Sequence, residues 1–209
     1  MRRSIALVAA SVLLLAGCSD DDGGEKADLI LPNNNPPQNT SVDLDTPELR
    51  DLKAKAGIED CEPGSGAGEL PAVTVACLGG GPAVDLSTLR GPMVINLWQV
   101  ACAACEEEMP ILQAFHEEYG DRVAVLGIDS TDVRPGEALE QLGQRGVTYP
   151  QLADPDGDLQ ETPVFAKVLG YPHLTFVDAD GEVAYEKAGA VQSADELHEL
   201  VEEHLGVDL

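Results

Sequence analysis

The sequence predicts an α/β domain on a mixed β-sheet covered on both faces, and three observations carry that prediction. "MVINLW" and "VAVLGID" are apolar runs of buried-strand length. Between them Met109, Ile111, Leu112, Phe115 and Tyr119 recur at three or four residues, the spacing of a helix face. "HLTFVD" and "ADGEVAYEKAG" then read as two strands joined at Asp180-Gly181, a hairpin signal, with an amphipathic segment closing the chain. Strand, helix, strand, helix, hairpin and last helix make a layered sheet of this kind.

Taken in order, the chain opens with Met1-Arg2-Arg3, an apolar stretch from Ile5 to Ala16, and Leu15-Ala16-Gly17-Cys18. A positive start, a short hydrophobic region and small residues at a cleavage site read as a secretory signal over residues 1–17. The run is too short to span a bilayer comfortably. Leu-Ala-Gly-Cys resembles the bacterial lipobox, which implies that Cys18 is acylated and becomes the first mature residue; an ordinary signal with a chance Cys18 is the other reading. From Cys18 to Asp45 the chain is rich in Asp, Gly, Asn and Pro. So little apolar surface cannot offset the entropy of ordering, and the segment is expected to be a flexible tether.

Residues 46–70 follow as a short helix and a Gly/Pro-rich segment, with Thr46 as N-cap, Pro47 at the first helical position and Gly57 as the stop. Residues 71–207 suit one domain. Beyond the two strands and the helix between them, helical stretches are expected over Gly136–Gln144 and Thr162–Leu169. In the last segment Ser193 is the N-cap, and Leu197, Leu200, Val201 and Leu205 share a face. No internal repeat is visible.

The formal net charge is -26 over 209 residues. A body so acidic repels nucleic acid and anionic lipid, which excludes both as partners of the folded part. The acids are scattered, as on a solvated surface.

Five cysteines leave one over in an exported chain. Lipid on Cys18 leaves Cys61, Cys77, Cys102 and Cys105, which are expected to pair outside the cytoplasm. Cys102 and Cys105 stand two residues apart where the first strand gives way to the helix. There the free amide N–H groups and the helix dipole favour a thiolate. Cys102, in the turn, is the expected nucleophile, and Cys105, in the first helical turn, the resolving thiol. A zinc site would need about four ligands, and His116, His173, His198 and His204 supply no second close pair. A purely structural disulfide is the remaining alternative.

"MVINLWQVACAACEEEMP" resembles the active-site segment of the TlpA-like or ResA-like thiol-disulfide oxidoreductases of the thioredoxin superfamily. The resemblance runs from Pro71 to Val207, with "GYPHLTFVDADGEV" as its second anchor. It implies a thioredoxin-like fold with helices on both faces of the sheet and the TlpA/AhpC-type insertion. It also implies a cis Pro172, with Tyr171 facing the cysteines and offering its backbone to an extended substrate. Glu108 and Pro110 stand where the family places them, and Trp98 and Asn96 precede the pair as supporting residues. Asn96 takes the position of a buried acid in thioredoxin itself. Asp129 is the candidate acid near the second thiol, a solvent-facing strand end being its other reading.

The chain departs from the family at Ala101, at Ala103-Ala104 between the cysteines, and at Glu106-Glu107-Glu108 after them. Those acids suit a helix N-terminus yet disfavour a nearby thiolate, so the Cys102 pKa is expected only moderately below that of a free thiol. Cys61 and Cys77 flank a Gly/Pro-rich stretch, and a bridge closing about 15 residues stabilises by roughly 3 kcal/mol in the chain-entropy model. It reads as structural, with a second redox pair as the rival.

The resemblance implies a lipid-anchored oxidoreductase on the extracytoplasmic face of the cell membrane, with no cofactor beyond the Cys102–Cys105 disulfide and no metal. Its expected partners are protein disulfides or dithiols, including apocytochrome c in cytochrome c maturation, and a membrane thiol reductase as electron donor. Reduction is the expected direction, disulfide formation the alternative. A copper chaperone on the same fold, with His173 as a ligand, is the rival from another class.

Overall fold

The computed structural model describes residues 42–209, so the signal segment, Cys18 and most of the expected tether lie outside the described residues. Helix α1, Pro47–Ala56, is bounded as the sequence predicts. Thr46 Oγ1 accepts from Leu49 N at 3.3 Å, and Gly57 closes the helix at φ 75°. The chain continues through β1 (Thr74–Cys77), β2 (Val84–Asp85), β3 (Met93–Trp98), α2 (Ala103–Tyr119), β4 (Ala124–Ser130), α3 (Pro135–Arg145), β5 (Gln151–Asp154), β6 (His173–Val177), β7 (Val183–Ala188) and α4 (Ala194–Leu205).

The strands form one sheet in the order β2-β1-β5-β4-β3-β6-β7. β3, β4 and β5 run parallel, and the other pairings are antiparallel. Strand alternation sorts the core into two layers. Val94 and Trp98 of β3, Val125 of β4, and Leu174 and Phe176 of β6 meet the buried faces of all four α-helices. Met93, Ile95 and Leu97 point the other way, onto Leu126, Ile128 and Leu152. That second face is covered by loops and by short 3-10 helices at Leu86–Thr88, Asp158–Glu161 and Phe165–Lys167, which plant Leu86, Leu159 and Phe165 in the core.

Helix α3 and strand β5 are inserted between β4 and β6, the two strands that flank β3. The helix expected over Thr162–Leu169 is only the 3-10 turn at Phe165–Lys167. Thr162 Oγ1 donates to Leu159 O at 2.7 Å, and Val168 N returns to Phe165 O at 3.0 Å. β-branched Val164 and Val168, with Gly170 beyond, weaken a longer helix. Strands β1, β2 and β5 have four residues or fewer, too short for periodicity to register.

Candidate active site

Strand β3, central in the sheet and buried along its whole length, ends at Trp98. Gln99, Val100 and Ala101 then turn the chain into α2, with Ala101 in the left-handed region at φ 65°. Asp132, from the loop after β4, fixes that turn by accepting from Val100 N at 3.1 Å. Arg134 pairs with Asp132 at 2.8 Å and donates to Val100 O at 3.3 Å.

Cys102 is the N-cap of α2, its Sγ 3.2 Å from Cys105 N, and the two cysteines form a disulfide with a Cα–Cα distance of 5.2 Å. Their exposure differs. Cys102 is half-buried, whereas Cys105 is fully buried in the core that holds Trp98 and Met109. The helix N-terminus thus presents one sulfur and hides the other, the arrangement a nucleophile and a resolving thiol require.

β6 pairs antiparallel with β3, Leu97 opposite His173, so Pro172 stands at the end of the sheet from which β3 leads to Cys102. The Tyr171–Pro172 peptide is cis, as the family resemblance implies. The Tyr171 hydroxyl accepts from Gln160 Nε2 at 2.9 Å, donates to Ser130 Oγ at 3.1 Å and lies 3.2 Å from Thr131 Oγ1. Gln99 Nε2 donates to Thr131 O at 3.1 Å. Loops from β3, β4 and the inserted segment are therefore tied together through one phenol. Gln99, Ser130, Thr131, Asp132 and Gln160 carry no sequence signal; they are polar residues at the end of β4, in the loops after β3 and β4 and in a 3-10 turn, and only the fold assembles them.

A buried polar layer lies on the helix side of the sheet. Trp98 Nε1 donates to Gln151 Oε1 at 3.0 Å, and Gln151 Nε2 to Tyr149 O at 3.3 Å. Asn96 is fully buried, with neither amide atom bonded among the described residues. Glu108, one turn after Cys105, is also fully buried; its Oε1 accepts from Val191 N at 2.7 Å and its Oε2 has no partner. Burial pushes the Glu108 carboxyl up to about 7. Burial and the charge of Glu108 together raise the Tyr149 hydroxyl above its ordinary value.

Asp129 is 1% exposed, which corrects the reading of a solvent-facing strand end. Burial, with the nearby charge of Asp132, pushes it up to about 8 against the opposing pull of Arg134. It sits opposite Trp98 in the β3–β4 register.

The three acids after Cys105 meet different fates. Glu106 is paired with Arg145, Glu107 is exposed to water, and Glu108 is held partly protonated near neutrality. Their opposition to a Cys102 thiolate is therefore smaller than their number suggests. His173 shares its strand face with Thr175 and Val177, away from α2, and its Nε2 is 3.4 Å from Glu186 Oε1. Among the described residues no cluster of three or more His, Cys, Asp or Glu is placed to hold a metal ion, and no helix is long and apolar enough to cross a membrane. Cys61 and Cys77 form the second disulfide, with a Cα–Cα distance of 5.9 Å, joining the segment after α1 to the end of β1.

The family model Redoxin matches residues 66–202. The thiol-disulfide oxidoreductase ResA of Bacillus thuringiensis is 27% identical over 125 residues, covering 58% of this chain and 68% of that one. The thiol:disulfide interchange protein DsbE of Xylella fastidiosa is 32% identical over 111 residues, 53% of each chain. Among solved structures, a secreted Mycobacterium tuberculosis disulfide oxidoreductase homologous to E. coli DsbE superposes with a TM-score of 0.53 at 26% identity, covering 63% of this chain and 96% of that one. With a paired Cys102 and Cys105 at the head of a helix and a thioredoxin-like sheet behind them, the chain belongs to the redoxin family, as a thiol-disulfide oxidoreductase of the ResA and DsbE type within the thioredoxin superfamily.

Proposed function

We propose that the chain is an exported, lipid-anchored reductase of protein disulfides that works through Cys102 and Cys105. The observation that carries this reading is the unequal burial of the two sulfurs at the head of α2, at the sheet end where Tyr171 and Pro172 stand. In the reduced protein the Cys102 thiolate attacks a substrate disulfide and expels one substrate thiolate, which takes a proton. Cys105, deprotonated, then attacks Cys102 Sγ and expels the second. Two electrons pass to the substrate, the Cys102–Cys105 disulfide forms, and a membrane thiol reductase restores the dithiol. Glu108, pushed up to about 7, and Asp129, pushed up to about 8, titrate near neutral pH, and the ionised fraction of each is the base that can accept the Cys105 proton.

Tyr171, with its hydroxyl clamped, presents main chain to an extended substrate segment. The signal-like residues 1–17 and the lipobox-like Cys18 support an activity on the outer face of the cell membrane, and the family resemblance supports apocytochrome c as substrate. His173 lies on the sheet face away from α2, which favours redox exchange over copper carriage.

Insulin reduction by the full chain is the direct test. Wild type is expected to reduce insulin, and Cys102→Ser to lose the activity while keeping its fold. The reduction potential of the pair then tests direction. A value near about -270 mV supports reduction, and one near about -120 mV reverses the assignment to disulfide formation.

A further inference from the structure

Cys61 and Cys77 form a disulfide whose two sulfurs have opposite surroundings. Lys53 of α1 is buried, and its Nζ lies 3.4 Å from Cys77 Sγ. The same ammonium donates to Gly80 O and to Asp60 Oδ1, each at 2.9 Å. Gly79, Gly80 and Gly81 bring this about. All three have positive φ, and a Cβ on Gly79 would lie 2.8 Å from the Lys53 Cβ. Three glycines thus seat a lysine against one sulfur. The Asp60 carboxylate that shares the ammonium is 84% exposed, so water screens it more than it screens the buried contact with sulfur.

Cys61 meets a carbonyl instead. Its Sγ is 3.2 Å from Gln151 O. An oxidised sulfur has no hydrogen to donate there, but a Cys61 thiol would have one, so this neighbour favours the protonated form and Lys53 favours a thiolate at Cys77. Both cysteines are buried, Cys61 at 1% and Cys77 at 2% exposure, but only Cys61 belongs to the lining of a groove of about 1140 Å³ between the Glu59–Ala67 segment and Leu89, Met93 and Leu126. Glu59, Glu62, Arg90 and His116 are the other titratable groups at that groove besides Asp60.

We propose that Cys61–Cys77 is a second thiol-disulfide exchange site, polarised so that an incoming thiol attacks Cys61 and Cys77 leaves as the thiolate held by Lys53. The reductant is a thiol or dithiol small enough to enter the groove. Its thiolate forms a bond to Cys61 Sγ as the Cys61–Cys77 bond breaks, and the electron pair goes to Cys77. A second reductant thiolate then attacks the sulfur joined to Cys61 and frees Cys61, which takes a proton. Two electrons enter the protein and the reductant becomes its disulfide. The site is separate from Cys102–Cys105 and stands whether or not that pair works as a reductase.

The test uses the full-length oxidised protein under native conditions, with 2-mercaptoethanol as the monothiol and dithiothreitol as the dithiol, acid quenching and peptide mass mapping. The monothiol adduct is expected on Cys61 at least about tenfold more often than on Cys77, the ratio expected from a leaving-group pKa difference of a unit or more. Lys53→Met is expected to slow opening of this disulfide by dithiothreitol about tenfold and to even out the adducts, with Lys53→Arg retaining both and Cys102–Cys105 opening as before. Equal adducts in wild type, opening only where the protein unfolds, or no effect of Lys53→Met in a folded variant would each overturn the proposal. If Lys53→Met does not fold, the wild-type adduct ratio decides alone.

Discussion

Glu108 and Asp129 are carboxyls whose burial raises their pKa, to about 7 and about 8 respectively, and that direction sets how stability follows pH. Unfolded, the two groups titrate near about 4.3 and 3.9. Between those values and the folded ones the native state binds more protons, so stability falls as pH rises through the window and levels off above it. Each unit is worth about 1.4 kcal/mol, so the cost at alkaline pH is on the order of 4 to 6 kcal/mol for each group. Glu108→Gln is expected to raise the calorimetric Tm at pH 8, to change it little at pH 4.5, and to flatten the slope between. A slope identical to wild type would show that Glu108 ionises as a solvated acid. At this scale the cysteine pair was legible from its spacing and its place at a helix start, and Pro172 through the family resemblance of the segment around it. Gln151, Gln160 and Lys53 were not. Gln151 reaches Trp98 from 53 positions away and Lys53 reaches Cys77 across 24, and no local pattern encodes such contacts.

Helix α1 was readable to the residue because Thr46, Pro47 and Gly57 are capping residues whose roles are local. The inserted segment was less readable. Its short strand and 3-10 turns exist because Leu152, Leu159 and Phe165 find a core made by distant strands. Within β4, Gly127 has an element-level role: a Cβ there would run into the Gln151 side chain, which the Trp98 indole holds. Gly127→Ala should therefore break that hydrogen bond and overpack the layer, costing roughly 1–3 kcal/mol in urea unfolding. Tolerance without loss would mean that Gln151 has another place to go.

The 209-residue chain carries a formal charge of -26, so like charges repel one another across its folded part. Added sodium chloride should screen that repulsion and raise the Tm, and a Tm that falls with salt would show that the few ion pairs outweigh it. The Cys61–Cys77 bridge ties α1 and its following segment to the sheet, and replacing both cysteines by alanine should cost about 3 kcal/mol of equilibrium stability.

Gln151 gives the molecule one further property. Its side chain accepts from the Trp98 indole, its main-chain oxygen touches the Cys61 sulfur, and Trp98 shares a core with Cys105. The chain's one tryptophan is thus an internal optical gauge wired to both sulfur pairs. A fluorimeter following its emission through a titration of redox buffers should register two separate steps, one for each bond as it opens.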